Sequence, residues 1–476
     1  MGGFLITRKD AFHKQSLAKT AGRRRKNASK VELQSLTANT PVNDPLPGIV
    51  ITWHAPAELK DARRKVRKIE DKHLADMVHA ISHFGFVVPL IIRGNRVADG
   101  HTRLEAARKL ALPKVPCIDV SHLSEEKVRL LTVSVNRMAE TNTWDMAELK
   151  FELEELEAME FDLTLTGFTM PEIDIILGDD AADKDKEETI PEPPAMPVTV
   201  EGDLWLLGGH RVLCGSALAA ADYERLMAGD LAAAVLTDPP YNVVIEGNVS
   251  GLGKTKHGEF KMASGEMTRA QFEEFLTIFL ALCLRYLLAG AVAFGFMDWR
   301  SIDLLTNAAR KVGFKHIGTG VWYKGSGGMG ALYRSAHEFV GMFCKGAVPR
   351  VNAIELGKHG RDRTNVWTYP GANKPGSSGA KALKDHPTPK NLEMCADALR
   401  DVTRRKEIVL DPFLGSGTTL IAAEQTGRIC YGIELEPKFV DVIVRRWEKM
   451  TGGEAIHAET GQTFEATGDE RLENDE

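Results

Sequence analysis

Apolar and polar positions along the 476-residue chain switch between two periods. "FVVPLIIRG" (86–94) and "KVPCIDVS" (114–121) read as strands. Between them, Leu104, Ala107 and Leu110 of "GHTRLEAARKLAL" fall at helical spacing. "SEEKVRLLTVSVNRMAE" (124–140) continues as a helix with Ser124 at the N-cap. From 143 to 178 the apolar positions Met146, Leu149, Leu153, Leu156 and Met159 keep one helical face, and "TMPE" (169–172) has the form of a capping box. Residues 200–452 alternate strand-like apolar runs with helical ones, which predicts a mostly parallel α/β sheet. The most apolar stretch, "FLTIFLALCLRYLLAGAVAFGF" (275–296), is broken by Arg285 and Gly290 and reads as a buried helix followed by a strand, not a membrane span.

Charge divides the chain further. The net charge of −6 hides fifteen Lys/Arg against six Asp/Glu in residues 1–70, and three Lys against eighteen Asp/Glu in 140–200. Six cysteines without CxxC spacing argue against a zinc site or a disulfide framework and suit a reducing cytosol. The start lacks the long apolar core of a signal peptide. The expected organisation is a basic disordered tail (1–46), a compact α/β unit (47–142), an acidic helical segment (143–178), a charged and proline-rich linker (179–199), a large α/β domain (200–452) and an acidic disordered tail (453–476).

Two stretches carry chemistry. In "AAAVLTDPPYN" (232–242) two prolines, neither of which can donate a backbone hydrogen bond, end an apolar strand abruptly. In "KEIVLDPFLGSGTTLIAAEQTGRICYGIELEPKFV" (406–440) a strand, a glycine turn, a helix and a second strand follow one another, and Glu434 stands near the end of that second strand. Glycines let a ligand approach the backbone, and an acid so placed can accept hydrogen bonds from ribose hydroxyls. That predicts a nucleoside-containing cofactor. A nicotinamide fingerprint needs a small third residue where Leu420 stands, and Asp411 would repel a pyrophosphate but could hold an ammonium group. S-adenosyl-L-methionine satisfies both conditions.

Together, "TDPPYN" and "DPFLGSGTT" (411–419) resemble the beta group of DNA amino-methyltransferases, which modify adenine N6 or cytosine N4. The resemblance covers about 200–450. "HPTPKN" (386–391) is similar to the family's element beside the cofactor motif but departs at Pro389 and Asn391, and "GDLWLLGGHRVLCGSA" (202–217) to its entry segment, with Ser216 in place of the usual acid. It implies a Rossmann-like, S-adenosylmethionine-dependent methyltransferase sheet with one antiparallel hairpin. It also implies a catalytic set Asp238, Pro239, Pro240 and Tyr241. Asp238 and the Pro239 carbonyl would accept the two amine hydrogens of a flipped base, and Tyr241 would offer a stacking face. Methyl transfer would be direct, with no covalent enzyme intermediate. The implied cofactor set is Asp411, Phe413, Gly415, Ser416, Gly417, Thr418 and Glu434, with His386, Thr388 and Lys390.

Other signals are weaker. "GLGKT" (251–255) misses a phosphate loop by one position; "EGNVSGLGKTKHGEFKMASG" (246–265) instead reads as a mobile loop in which Lys254 and Lys256 touch DNA phosphates. Cys117 lies on an apolar strand and reads as structural. "GTGVWYKGSGGMGALYRSAHEFVGMFCKG" (318–346) fits two strands around a loop and resembles the family's segment near the target base, with Trp322, Lys324, Tyr333 and His337-Glu338 as loose matches; His337-Glu338 is not a metal pair. Residues 347–385 are the candidate target-recognition region, with Arg361, Arg363, Lys374 and Lys381 as DNA contacts. "VVPLIIRGNRVADGHTRLEAARKLALPKVPCIDVS" resembles the ParB/sulfiredoxin-like N-terminal domain, a smaller α/β unit. Its Asp99, Gly100, His101 and Arg103 fit a phosphate of DNA, a phosphate of a nucleotide, or a purely structural turn.

The reading is a site-specific adenine-N6 methyltransferase of double-stranded DNA, in the cytoplasm and associated with the nucleoid, without a metal or a membrane, and with a homodimer left open. Its rivals are a cytosine N4 enzyme, an RNA or protein methyltransferase, and a non-catalytic ParB-like DNA-binding protein.

Overall fold

The computed structural model describes residues 49–62, 69–141, 143–178, 190–242, 265–325, 333–354, 363–371 and 390–475. The chain divides into two compact units, one ending at Thr143 and one beginning at Trp144. The break therefore precedes the acidic helices instead of following them at the expected linker.

In the first unit the elements run β1 (Ile51–His54), α1 (Asp71–Phe84), β2 (Leu90–Arg93), β3 (Arg96–Asp99), α2 (His101–Lys109), β4 (Val115–Asp119) and α3 (Glu125–Thr141). The sheet order is β1-β4-β2-β3, with β2 and β4 parallel. Leu90, Ile92, Leu104, Val115 and Cys117 are fully buried between the sheet and α2. Cys117 is thus a core residue, and burial pushes its thiol up to about 11. Ser124 Oγ accepts from Lys127 N at 3.4 Å, as the N-cap reading expects.

The second unit opens with α4 (Met146–Ala158) and α5 (Met170–Gly178), where Glu172 accepts from Thr169 N at 2.7 Å. These helices bury Leu153, Leu163, Ile173 and Ile176 together. They are tied to the main sheet by ions as well. Arg428, fully buried, forms a two-pronged pair with Asp174 at 2.7 and 2.9 Å, and Arg405 grips Glu157 at 2.5 and 2.9 Å. Of the expected linker, Val198 and Thr199 donate their backbone N–H groups to Asp441 at 2.7 and 3.0 Å, so its end is packed.

The rest of the chain is β5 (Leu204–Leu207), β6 (His210–Cys214), α6 (Ala220–Met227), β7 (Ala232–Thr237), α7 (Arg269–Arg285), β8 (Leu287–Met297), α8 (Ile302–Val312), β9 (Lys315–Tyr323), β10 (His337–Cys344), β11 (Val366–Thr368), α9 (Leu392–Val402), β12 (Ile408–Asp411), α10 (Thr418–Gln425), β13 (Ile429–Glu434), α11 (Pro437–Thr451), β14 (Ile456–His457) and α12 (Phe464–Asp475). Ten strands form one sheet in the order β11-β9-β10-β8-β7-β12-β13-β6-β5-β14. From β8 through β6 every pairing is parallel. All six residues of β7 are buried, as a strand covered on both faces requires, which is why it reads as a continuous apolar run. The antiparallel β9–β10 hairpin matches expectation. A second one, β5–β6, stands toward the other edge and goes beyond it.

The C-terminal stretch corrects the expectation of a disordered tail at 453–476. β14 pairs with β5, Phe464 is buried with its ring 5.1 Å from that of Trp205, and Arg471 clamps Asp203 at 2.6 and 3.0 Å. A few apolar residues spaced among many acids suffice to cover the sheet's edge, and average composition hides them. Among the described residues no helix is long and apolar enough to cross a membrane.

Candidate active site

β7 and β12 are adjacent and parallel, but the chain leaves β7 toward β8 on one side and β12 toward β13 on the other. Such a switch of direction opens a crevice beyond the C-terminal ends of the two strands. Both motifs lie there. Asp238 follows the last residue of β7, and the glycine turn follows Asp411 at the end of β12.

The glycine turn is built from its own residues. Gly415 and Gly417 have φ of +58° and +84°, where a side chain is strained. A Cβ on Gly417 would also stand 3.0 Å from Ile443. Glu434 caps the turn from the end of β13, its two oxygens accepting from Gly415 N at 2.8 Å and Glu436 N at 2.9 Å. Burial pushes its carboxyl up to about 7, against the pull of those amides. Arg446 donates to Ser416 O at 2.7 Å. The Ser416 and Thr418 side chains are buried.

Two of the expected cofactor contacts, Asp411 and Phe413, also hold neighbours within the protein. Asp411 is 3% exposed, accepts from Phe413 N at 3.1 Å and from Thr237 Oγ1 at 2.9 Å, and bonds the Thr419 side chain. Burial pushes its carboxyl up to about 6. These bonds pin the two strand ends together. The Phe413 ring packs against Phe275 and Phe279 of α7, with centroids 5.8 and 5.1 Å away.

The catalytic motif is surrounded by charge. Tyr241 points its hydroxyl at Asp238 Oδ1 (2.7 Å) and Glu338 Oε2 (3.1 Å). Its single hydrogen serves one of them at a time. Burial and the two carboxylates hold that phenol well above its usual range. Tyr241 is therefore fixed by its hydroxyl, a constraint the stacking expectation does not include. Lys390, expected beside the cofactor, instead places Nζ 2.5 Å from Asp238 Oδ2 and 3.4 Å from Glu338 Oε2. Lys324 pairs with Glu338 Oε1. Burial would raise the Glu338 carboxyl, but the two ammonium groups draw it down to about 2. For Asp238 the balance is the reverse. Burial and the Glu338 charge outweigh Lys390, and its carboxyl lies above the usual range.

Glu338, in the segment that loosely resembles the family's near the target base, stands beside Asp238, Tyr241 and Lys390. It lies 97 residues from Tyr241, and only the β8–β10 pairing brings it in. The "HEF" segment offers a hint, but an acid at the start of a strand has too many ordinary explanations.

Of the expected DNA contacts, Lys254, Lys256, Arg361, Lys374 and Lys381 lie outside the described residues, as do His386 and Thr388. Arg363 is described and is committed elsewhere. Its guanidinium pairs with Asp397 at 2.6 Å and Asp401 at 3.1 Å, and the side chain is 14% exposed.

The ParB-like turn in the first unit is likewise self-satisfied. Arg103 pairs with Asp99 at 3.0 Å and donates to the Val88 and Pro89 carbonyls at 2.8 Å. His101 Nε2 accepts from Ala62 N at 3.3 Å. Gly100, at φ +94°, has no room for a Cβ beside Leu90.

Three stretches of the chain match known domain families. Residues 232–445 match a DNA methylase family model, 55–136 a ParB N-terminal domain model, and 147–201 a ParB-methyltransferase HTH domain model. The chain is 30% identical over 220 residues to "Putative methylase YubD" of Escherichia coli (strain K12), covering 45% of this chain and 82% of that protein. The chain belongs to the DNA methylase family. This is a family of S-adenosylmethionine-dependent enzymes that methylate N6 or N4 amino groups in DNA. Type II methyltransferase M2.MboI of Moraxella bovis is 33% identical over 91 residues, 19% of this chain and 32% of its own length. A putative DNA modification methylase of Thermus thermophilus, solved with S-adenosyl-L-methionine, aligns with a TM-score of 0.37 and 22% identity over 52% of this chain and 97% of its own.

Proposed function

We propose that this DNA methylase acts on the N6 amino group of adenine in duplex DNA, after the base has left the helix. The observation that carries the reading is the Asp238-Pro239 pair held at the end of β7, pinned to the glycine turn by the Thr237–Asp411 hydrogen bond. An aspartate at the first place of the motif favours adenine, since the resemblance associates cytosine N4 enzymes with serine there.

The exocyclic amine of adenine is a poor nucleophile because its lone pair is delocalised into the ring. Asp238 accepts one amine hydrogen and the Pro239 carbonyl the other. The nitrogen is thereby drawn toward a tetrahedral shape, with its lone pair aimed at the incoming methyl. The prolines keep that carbonyl preset, so little ordering is left for the reaction itself.

The residues of the turn fit the methyl donor. Gly415 and Gly417 allow close approach to the backbone, and Glu434 retains lone pairs for the ribose hydroxyls beyond those given to Gly415 N and Glu436 N. When bound, S-adenosylmethionine supplies an electrophilic methyl on a positive sulfur. Asp411 and Phe413 support the turn from behind. The ParB-like unit and the HTH match support a further role in DNA binding.

The test follows methyl label from S-adenosylmethionine into unmethylated plasmid DNA. The wild-type chain incorporates it, and Asp238→Ala loses more than about a hundredfold in rate. Near wild-type incorporation by Asp238→Ala refutes the assignment.

A further inference from the structure

Both oxygens of Asp238 hold donors. Oδ1 accepts from the Tyr241 hydroxyl at 2.7 Å, and Oδ2 from the Lys390 ammonium at 2.5 Å. Each oxygen keeps a further lone pair, but an amine that comes to Oδ2 meets the Lys390 ammonium at 2.5 Å and shares that oxygen with it unless the ammonium moves. We propose that Lys390 is a positioning residue whose ammonium occupies the amine-accepting oxygen of Asp238 until the base arrives, and that Glu338 receives the ammonium as it is displaced. The proposal rests on Asp238 being the residue that accepts the amine.

The geometry gives the displaced ammonium a short path. Glu338 Oε2 lies 3.4 Å from Lys390 Nζ, so a small turn of the side chain exchanges one carboxylate for the other. The path is lined for a cation. The faces of Phe296, Tyr241 and Trp322 lie 5.3, 5.6 and 5.9 Å from Nζ. The Lys390 side chain is 8% exposed, so the ammonium stays out of water throughout. Its backbone end is anchored, because the next residue, Asn391, caps α9 by accepting from Met394 N at 2.9 Å.

Glu338 is rigidly presented. It pairs with Trp322 in the β9–β10 register, and Lys324, just past β9, holds its other oxygen. The Tyr241 hydroxyl can also turn to Glu338, 3.1 Å away, which frees Asp238 Oδ1 in the same event. Glu338 is thus the common acceptor for both donors that leave Asp238.

Charge explains why a lysine is needed. Asp238 and Glu338 face Lys390 and Lys324, two against two. Asp411 adds a further carboxyl behind Asp238, and Cys395 of α9, its thiol pushed up to about 12 by burial, stays neutral. Without Lys390 the buried Asp238 would stand beside Glu338 unpaired and would take up a proton. A protonated Asp238 has one acceptor oxygen fewer for the amine. By moving only to Glu338, the ammonium keeps Asp238 ionised and then vacates it.

The experiment measures single-turnover methyl transfer to unmethylated plasmid DNA against pH. It uses the full chain, its Lys390→Gln, Lys390→Arg and Glu338→Gln variants, and the Lys390→Gln/Glu338→Gln pair. Melting curves first establish that each variant is folded. Lys390→Gln moves the acid limb of the profile up by about one pH unit or more, and Lys390→Arg, which keeps the charge, returns it. Glu338→Gln lowers the rate about tenfold in the wild-type background, where the ammonium loses its second seat, and much less beside Lys390→Gln. An unshifted limb in Lys390→Gln, or fully additive effects in the pair, overturns the proposal. Should Lys390→Gln fail to fold, the decision falls to Glu338→Gln, whose unchanged rate overturns it. A wild-type chain that methylates no DNA at any pH refutes the parent reading instead.

Discussion

Replacing Asp174 with alanine removes one half of the ion pair that fastens α5 to the catalytic sheet. Its partner, Arg428, is fully buried and Asp174 nearly so, with N–O distances of 2.7 and 2.9 Å. In Asp174→Ala the guanidinium keeps its bonds to Thr403 O at 2.8 Å and Thr426 O at 2.6 Å, but its charge loses its counterion. Arg405 Nη1, 3.8 Å from Asp174, adds a second cation to the same pocket. Breaking a buried pair from one side costs about 3–5 kcal/mol, because the charge left behind cannot reach water. With about 2.1 cal/mol/K of unfolding entropy per residue, a unit spanning residues 144–476 shifts by roughly 1.4 °C of melting temperature per kcal/mol, so the drop is on the order of 4–7 °C. Thermal unfolding of the full chain by circular dichroism measures it. Asp174→Ala combined with Arg428→Met, which removes both charges, recovers most of the loss. A melting temperature within about 2 °C of wild type for Asp174→Ala would refute the reasoning, and with it the claim that residues 144–178 belong to the core of the catalytic unit.

Three further outcomes are expected. Gly417→Ala forces a side chain into φ +84° and toward Ile443 at 3.0 Å; it costs about 1–3 kcal/mol of stability and weakens S-adenosylmethionine binding, measured by melting and by calorimetry. Phe464→Ala, which opens a cavity beside Trp205, costs about 3–5 kcal/mol in denaturant unfolding, whereas a disordered tail would show no change. Glu434 carries a folded carboxyl raised by burial to about 7 from an ordinary 4.5. Its contribution to stability is therefore present below about pH 4.5 and lost as pH rises through 7. Glu434→Gln should flatten the fall in melting temperature of the donor-free protein between pH 5 and pH 8; an unaltered slope would count against the raised carboxyl.

Much of the crevice is legible in the chain because its chemistry is local. The buried strand before Asp238, the glycine turn and Glu434 each announce themselves within a few residues. Proline and glycine restrict the backbone in ways that a short window reveals. Long-range pairing is what a short window misses. Glu338 reaches Asp238 only through sheet order, and Lys390 sits just before a helix whose docking no motif encodes. By residue type, Arg363, Arg103 and Asp411 read as ligand contacts. Each proves to be committed to neighbours: Asp397 and Asp401, Asp99 and two carbonyls, Thr237 and Phe413 N. A charged side chain in a promising stretch does not disclose whether its bonds are already made. The edge strand β14 and helix α12 are hidden by composition, since only Phe464 and a few small apolar residues carry their packing.

The most direct test of the adenine assignment is the identity of the modified nucleoside. Plasmid DNA from a host lacking its own methyltransferases is incubated with the purified chain and S-adenosylmethionine, digested to nucleosides and resolved by mass spectrometry. N6-methyladenine is the expected product, absent when Asp238→Ala replaces the wild-type chain. N4-methylcytosine in its place, or unmodified DNA, would contradict it.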